Sequence, residues 1–338
     1  MLNSYSRLLE TTLKQYQIGC AKPIELGSSD LFHQILQTQI KSRLSLTEQA
    51  LISQGGNTRD QAVIAARRGQ FATAQQLFAE AHAPLESNLL SREARLLYES
   101  FLEQSESYLD YRLENFDQVR IRIDNALAID TILEEEYGYG ILHIHRIQLL
   151  HNIVRTYARQ MWLDCAVELA SQLLAYLQGV LEELPFSGSW SSEQIARQSP
   201  EVVAATFTQI SCEIAIILAG KKRQIARYLL TIAHYYVQLQ ANSKSQDDQQ
   251  AYAWFIIKQA FVDNNIATFL EKASQFLALG RTQTFLLWYA IVVDIVTLCD
   301  EIKLPEAKLL RQKITKDAVK WEYLPQRFLP LMTLKSAK

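Results

Sequence analysis

The feature that most constrains this 338-residue chain is a pattern that begins at Gly69-Gln70-Phe71-Ala72-Thr73-Ala74 and continues through Phe78 and Ala81. An aromatic, a small residue three positions on, and then bulky and small apolar residues at the next turns suit a helix packed closely against its predecessor. The pattern returns at Phe116, Val119, Ile123 and Ala126-Leu127, 45 positions after Phe71. It returns again at Trp162, Cys165, Leu169 and Leu173, a further 46 positions on. A supersecondary unit that recurs at this interval implies a stack of units, each too small to bury its apolar face alone.

The rest of the chain agrees with helices. Eleven glycines and seven prolines are few for this length, and a 49% hydrophobic fraction provides ample core. The formal charge of −2 gives no global attraction to nucleic acid or anionic lipid. Cys20, Cys165, Cys212 and Cys299 are scattered without a Cys-x-x-Cys pair, and are expected to be reduced, packed thiols in a cytoplasmic protein. Met1 to Leu13 lack the basic-then-apolar order of a secretory signal. The apolar run Phe285–Leu298 is short for a bilayer and interrupted by Asp294, so a buried helix is expected there.

From end to end, the spacing predicts about a dozen helices. A short helix spans 4–17 and a loop spans Gly19–Ser29. Asp30 then caps a helix reaching about Ser53, which Gly55-Gly56-Asn57 break. Helix pairs follow at about 57–83 with Pro84 after them, at 90–114 with 116–133, and at 141–182 with a turn near Gln160. The organisation expected is an N-terminal helical cap at 1–56, helix-pair repeats at 57–184, a linker or insertion at 185–200, and further helix pairs with a C-terminal cap at 201–338. In that last part Arg223, Ala226, Leu230 and Ala233 continue the template. Ala241–Gln250 form a polar connector before the segment Tyr252–Leu279. Leu304, Ala307 and Ile314 close the series, and Trp321, Pro325 and Pro330 lead into a loose tail.

The motif resembles that of the tetratricopeptide-repeat family, which has a glycine and an aromatic at the inter-helix turn, then alanine, aromatic and alanine. Gly69, Phe71, Ala74, Phe78 and Ala81 match it in full, Phe116 with Ala126-Leu127 in part, and Trp162 with Cys165 more weakly. The resemblance implies an all-α, right-handed α-solenoid of antiparallel helix pairs, with longer repeats than is usual for the family.

No catalytic constellation and no cofactor motif is found. His143, His145 and His151 lack the three- or four-residue spacing of a helical zinc site, so packed or surface histidines are expected and no metal is assigned. Asp247-Asp248 have no acidic partner one turn on and read as a solvated connector. Glu-x-x-His, Gly-x-Ser-x-Gly and a phosphate-binding glycine loop are missing from the sequence. Glu134-Glu135-Glu136 reads as a solvated helix end, and Lys221-Lys222-Arg223 as cations at a helix terminus.

What remains is the face that first helices present in such arrays. The family's inner positions fall on Arg59, Arg67, Gln104, Tyr108, Tyr111, Arg112, Tyr157, Trp254 and Lys258. Tyrosine, tryptophan and arginine supply most binding energy at interfaces. The leading expectation is a non-enzymatic adaptor or scaffold holding a peptide or helix of another protein in a concave groove, with Tyr108, Tyr111 and Arg112 partly exposed on one stripe. The alternatives are a ligand-sensing regulatory α-domain with a pocket between its two arrays, or an all-α enzyme. Neither nucleic acid nor membrane is expected as a partner, and homodimerisation is left open.

Overall fold

The computed structural model describes residues 2–24, 31–238, 246–281 and 284–333. The described residues are all-α, 79% of them helical, with no strand among them. In chain order the helices are α1 (Leu2–Cys20), α2 (Leu31–Arg43), α3 (Leu46–Arg67), α4 (Phe71–Ala81), α5 (Ala83–Glu86), α6 (Arg92–Arg112), α7 (Phe116–Tyr137), α8 (Leu142–Arg159) and α9 (Leu163–Leu177). They continue as α10 (Ser192–Ala196), α11 (Pro200–Leu218), α12 (Arg223–Tyr236), α13 (Gln246–Val262), α14 (Ile266–Leu279), α15 (Phe285–Glu301), α16 (Pro305–Ala318) and α17 (Phe328–Thr333). These are more segments than the dozen expected.

Helices pack on their sequence neighbours: α3 on α4, α6 on α7, α8 on α9 and α13 on α14. One turn makes all four pairs. Gly69, Glu114, Met161 and Asn264 adopt left-handed φ of 76°, 64°, 64° and 60°. The residues after them, Gln70, Asn115, Trp162 and Asn265, share φ between −82° and −85°. Each of these four donates its backbone N–H to the carbonyl five residues earlier, at 2.9–3.0 Å. That bond satisfies a carbonyl left unpaired at the end of the first helix.

The shared geometry corrects the sequence register by one residue. Met161, not Gln160, takes the left-handed position, so Leu163 rather than Trp162 corresponds to Phe71 and Phe116. Ala166 then joins Ala74 and Val119 in the core, while Cys165 is exposed and Trp162 half exposed. Cys165 is therefore not a packed thiol; Cys212 and Cys299 are buried. The segment Tyr252–Leu279 is two helices, because Asn264 makes a turn that a search for glycine passes over.

The first glycines also behave differently from expectation. α2 stops at Arg43 and Ser45 begins a new helix: its side chain accepts from Glu48 N–H while Glu48 receives the Ser45 N–H, a reciprocal cap. Gly55 and Gly56 lie inside α3 and do not break it. A Cβ on Gly55 would sit 2.4 Å from Tyr98 Oη and 2.7 Å from Pro84 Cγ, so close helix packing requires glycine there. The expected cap Asp30 lies outside the described residues.

Residues 29–206 form one compact unit, and residues 1–28 with 207–338 form another. In the first, the serine-rich segment 185–200 is a packed element. Trp190 is buried, its ring 3.9 Å from the Arg146 guanidinium carbon, and Arg146 donates to Ser189 O (2.9 Å) and Glu134 Oε2 (3.0 Å). Glu134 also meets His143 and Gln194, so this glutamate is an internal anchor and not part of a solvated helix end.

In the second unit α1 packs on α14 and α16. The expected boundary at residue 56 therefore does not describe where α1 goes. Gly19 is helical and lets α1 approach the end of α14: a Cβ there would lie 1.8 Å from Leu277 O. The polar connector falls largely on residues 239–245, outside the described residues, and Asp247-Asp248 belong to the first turn of α13. The expected loose tail carries α17, whose Phe328 and Met332 are buried; residues 334–338 lie outside the described set. α15 is buried along almost its whole length. One described helix, Pro200–Leu218, is long and apolar enough to cross a membrane, and 67% of that stretch is buried in the protein, as in a core helix.

Candidate functional site

In three of the four pairs the first helix carries an arginine in its last turn: Arg67 on α3, Arg112 on α6 and Arg159 on α8. Cations at this end complement the helix dipole and can cap its free carbonyls. Arg112 does so across helices, donating to Arg67 O at 3.0 Å and to Tyr108 Oη at 3.2 Å while lying 5.8 Å from the Phe71 ring centroid.

The result is an alternation of cations and aromatic rings in the unit spanning residues 29–206. The Arg67 guanidinium lies 5.9 Å from the Tyr108 ring; Tyr108 stacks on Tyr111 at 6.3 Å; and Arg159 lies 5.2 Å from the Tyr111 ring. Beyond it, Arg120 sits 5.6 Å from the Tyr157 ring and 5.2 Å from Trp162. Tyr108, Tyr111, Arg112 and Tyr157 are half-buried, and Arg67 is exposed. Tyr108 and Tyr111 also wall a cavity of about 70 Å³ with Val119 of α7 and Thr156 of α8.

Charge along this edge is only partly compensated. Arg159 pairs with Glu114 at 2.8 Å, and Arg120 approaches Asp117 at 3.8 Å. Among the described residues Arg67 and Arg112 have no carboxylate partner; Arg112 spends its hydrogen bonds on neutral oxygens. Held cations beside half-buried tyrosine rings can receive carboxylates or phosphates and can stack on planar groups.

Five of the nine residues expected on the binding face thus fall on this edge: Arg67, Tyr108, Tyr111, Arg112 and Tyr157. Arg59 is elsewhere on α3, paired with Asp60 and 5.8 Å from the Phe101 ring centroid. Gln104 is half-buried on α6. Trp254 and Lys258 correct the expectation, for both are fully buried in the other unit. The Lys258 ammonium is bound by Asp294, so neither side chain is available to a partner. Phe71 and Trp162 are read from the sequence as pattern aromatics and not as binding-face residues, and Arg120 and Arg159 carry no expectation. The near-regular spacing of Arg67, Arg112 and Arg159 is a sequence signal for Arg159.

The histidines are internal. His143 hydrogen-bonds Tyr176 Oη at 2.8 Å and faces Glu134, while His145 Nδ1 meets Asp130 Oδ2 at 2.7 Å. His151 is buried, and desolvation, reinforced by Arg155, holds its pKa well below the usual histidine range. Among the described residues no group of three histidine, cysteine or acidic side chains is placed to share a metal. Ser100, Asp130 and His145 include the three residue types of a hydrolase triad, but Ser100 donates to the carboxylate (Oδ1, 2.6 Å). A nucleophile needs its hydroxyl on the imidazole instead. The trio is a buried polar lock between α6, α7 and α8.

The chain matches no family model, and no curated protein or solved structure is significantly similar to it.

Proposed function

We propose that this protein is a non-enzymatic cytoplasmic adaptor, a tetratricopeptide-like right-handed solenoid of helix pairs, that holds an acidic peptide or helix of another protein. The turn repeated at Gly69, Glu114, Met161 and Asn264 supports the repeat reading. The observation that carries the binding reading is the edge where Arg67 and Arg112, without carboxylate partners among the described residues, flank the stacked Tyr108 and Tyr111. Acidic side chains of a partner would meet the two guanidinium groups, and an apolar side chain would cover the tyrosine rings.

Affinity purification from the native cell with mass spectrometry identifies the partner, and titration of that partner tests the edge. Tyr111→Ala or Arg112→Ala is expected to weaken binding roughly thirtyfold, the equivalent of about 2 kcal/mol. Arg112→Ala should leave the melting temperature nearly unchanged. A partner bound equally well by the wild type and by Arg67→Glu/Arg112→Glu would remove this edge from consideration.

A further inference from the structure

Gly55 and Gly56 stand together inside α3, yet packing accounts for only the first. A Cβ on Gly56 would meet nothing closer than Arg59 Nη2 at 3.9 Å. Glycine in a helix interior costs stability relative to alanine, so the protein by itself gains nothing from this one. Gly56 lines a cavity of about 350 Å³ between α2, α3 and α6, within the size range of small-molecule sites.

The lining divides by chemistry. Leu36 and Ile40 from α2 and Leu97 and Phe101 from α6 make an apolar wall. Phe101 is fixed from behind by the buried His145 ring, 4.4 Å away, which Asp130 holds in turn. Two cations, Arg59 and Lys41, reach the same cavity, against one carboxylate, Asp60. The Arg59 side chain is only 19% exposed, and its Nε and Nη2 both donate to a single oxygen, Asp60 Oδ1, at 3.1 and 2.9 Å. That arrangement leaves Nη1 for another acceptor.

We propose that this cavity binds a small amphipathic carboxylate. Its ring or chain lies against Leu97 and Phe101, and its carboxylate is held by Arg59 and Lys41. Gly56 leaves the helix backbone bare so that the ligand body can approach it. The site is separate from the arginine–tyrosine edge and does not depend on it.

The test uses the full chain and 4-phenylbutyrate as probe, measured by titration calorimetry and by displacement of the fluorescent anion 8-anilinonaphthalene-1-sulfonate. Saturable binding is expected, with the neutral 4-phenylbutyramide at least tenfold weaker. Arg59→Gln should lose at least tenfold in affinity, and Gly56→Leu should abolish binding. Gly56→Ala should raise the melting temperature of the unliganded protein while weakening the probe, a pair of changes that misfolding cannot produce. The proposal is overturned if 4-phenylbutyrate fails to saturate the wild type, if the amide binds equally, or if Gly56→Leu binds as the wild type does. A lowered melting temperature for Gly56→Ala would also overturn it, because packing would then explain the glycine.

Discussion

Lys258→Met is the most informative single perturbation of the fold. Lys258 on α13 and Asp294 on α15 are buried to within 3% of full enclosure. The ammonium donates to Asp294 Oδ1 and Oδ2 at 2.7 and 2.8 Å and to Leu218 O at 3.3 Å, so its three protons are all used. Desolvation raises the Asp294 pKa, with Lys258 as the leading opposing influence. Removing Lys258 leaves a carboxylate enclosed without its counter-charge, at a cost of about 3–5 kcal/mol. Total domain stability is only about 5–15 kcal/mol, so the variant should be marginal.

The double variant Lys258→Met/Asp294→Leu replaces the pair with apolar side chains of similar size and should recover most of the loss. Urea unfolding followed by tryptophan fluorescence measures both. In Lys258→Met the folded Asp294 pKa rises further above its unfolded value. The native state then holds that proton more tightly, and stability should decline as pH rises from 4 towards 8. A Lys258→Met variant within about 1 kcal/mol of wild type, or a double variant no better than the single, would refute the reasoning.

Ala74 is fully buried, so Ala74→Leu should overpack α4 against its neighbours and cost about 1–3 kcal/mol, while Ala79→Leu on the exposed side of the same helix should cost far less. Equal melting curves for the two would contradict the register. Gly19→Ala places a methyl 1.8 Å from a backbone carbonyl and should reach or exceed the upper end of about 1–3 kcal/mol; wild-type melting would contradict the approach of α1 to α14. Hydrogen bonds from Ser91 and Ser45 hold the Glu48 carboxyl at about 2. Its folded value lies below its unfolded one, so the stability it adds is present above the ordinary carboxylate range and is lost as pH falls towards 2. A nuclear magnetic resonance titration should show this midpoint, and Ser45→Ala should move it upward; an unmoved midpoint would mean the cap does not hold Glu48.

Much of the unit spanning residues 29–206 is legible in the sequence, because a small residue recurs where two helices approach closely. Ala74, Val119 and Ala166 occupy one structural position, and the first two were placed from spacing alone. The third slipped by one residue because Trp162 is the more conspicuous aromatic, although it is half exposed. The left-handed turn residue is Gly69 in the first pair but Glu114, Met161 and Asn264 in the others. A side chain in that conformation is disfavoured by about 1–2 kcal/mol, so glycine is the expected marker there and its absence hides the turn. The pairing of α1 with α14 had no local signal: it depends on Gly19, whose need for close approach appears only when Leu277 is brought beside it.

The misplacement of Trp254 and Lys258 has a different cause, and it suggests a better reading of such residues. Both were carried onto a binding face by analogy with first helices of earlier pairs. Yet Trp254, Phe255, Ile257, Phe261 and Val262 put apolar groups around most of α13, and a helix apolar on most sides is enclosed, not half-wetted. A lysine within it must then find an acceptor inside the protein. The run Phe285–Leu298 poses the mirror problem, since Asp294 is its only charged residue. Lys258 and Asp294, each the single charge in the apolar stretch of its helix (252–262 and 285–298), satisfy one another at 2.7 Å. Arg67, Arg112 and Tyr111 differ because they lie at the ends of helices with a polar face, where a side chain can meet its own protein and a partner at once. A charge within the apolar stretch of a helix therefore points inward to a structural counter-charge, whereas a charge at a helix end, such as Arg67, stays exposed.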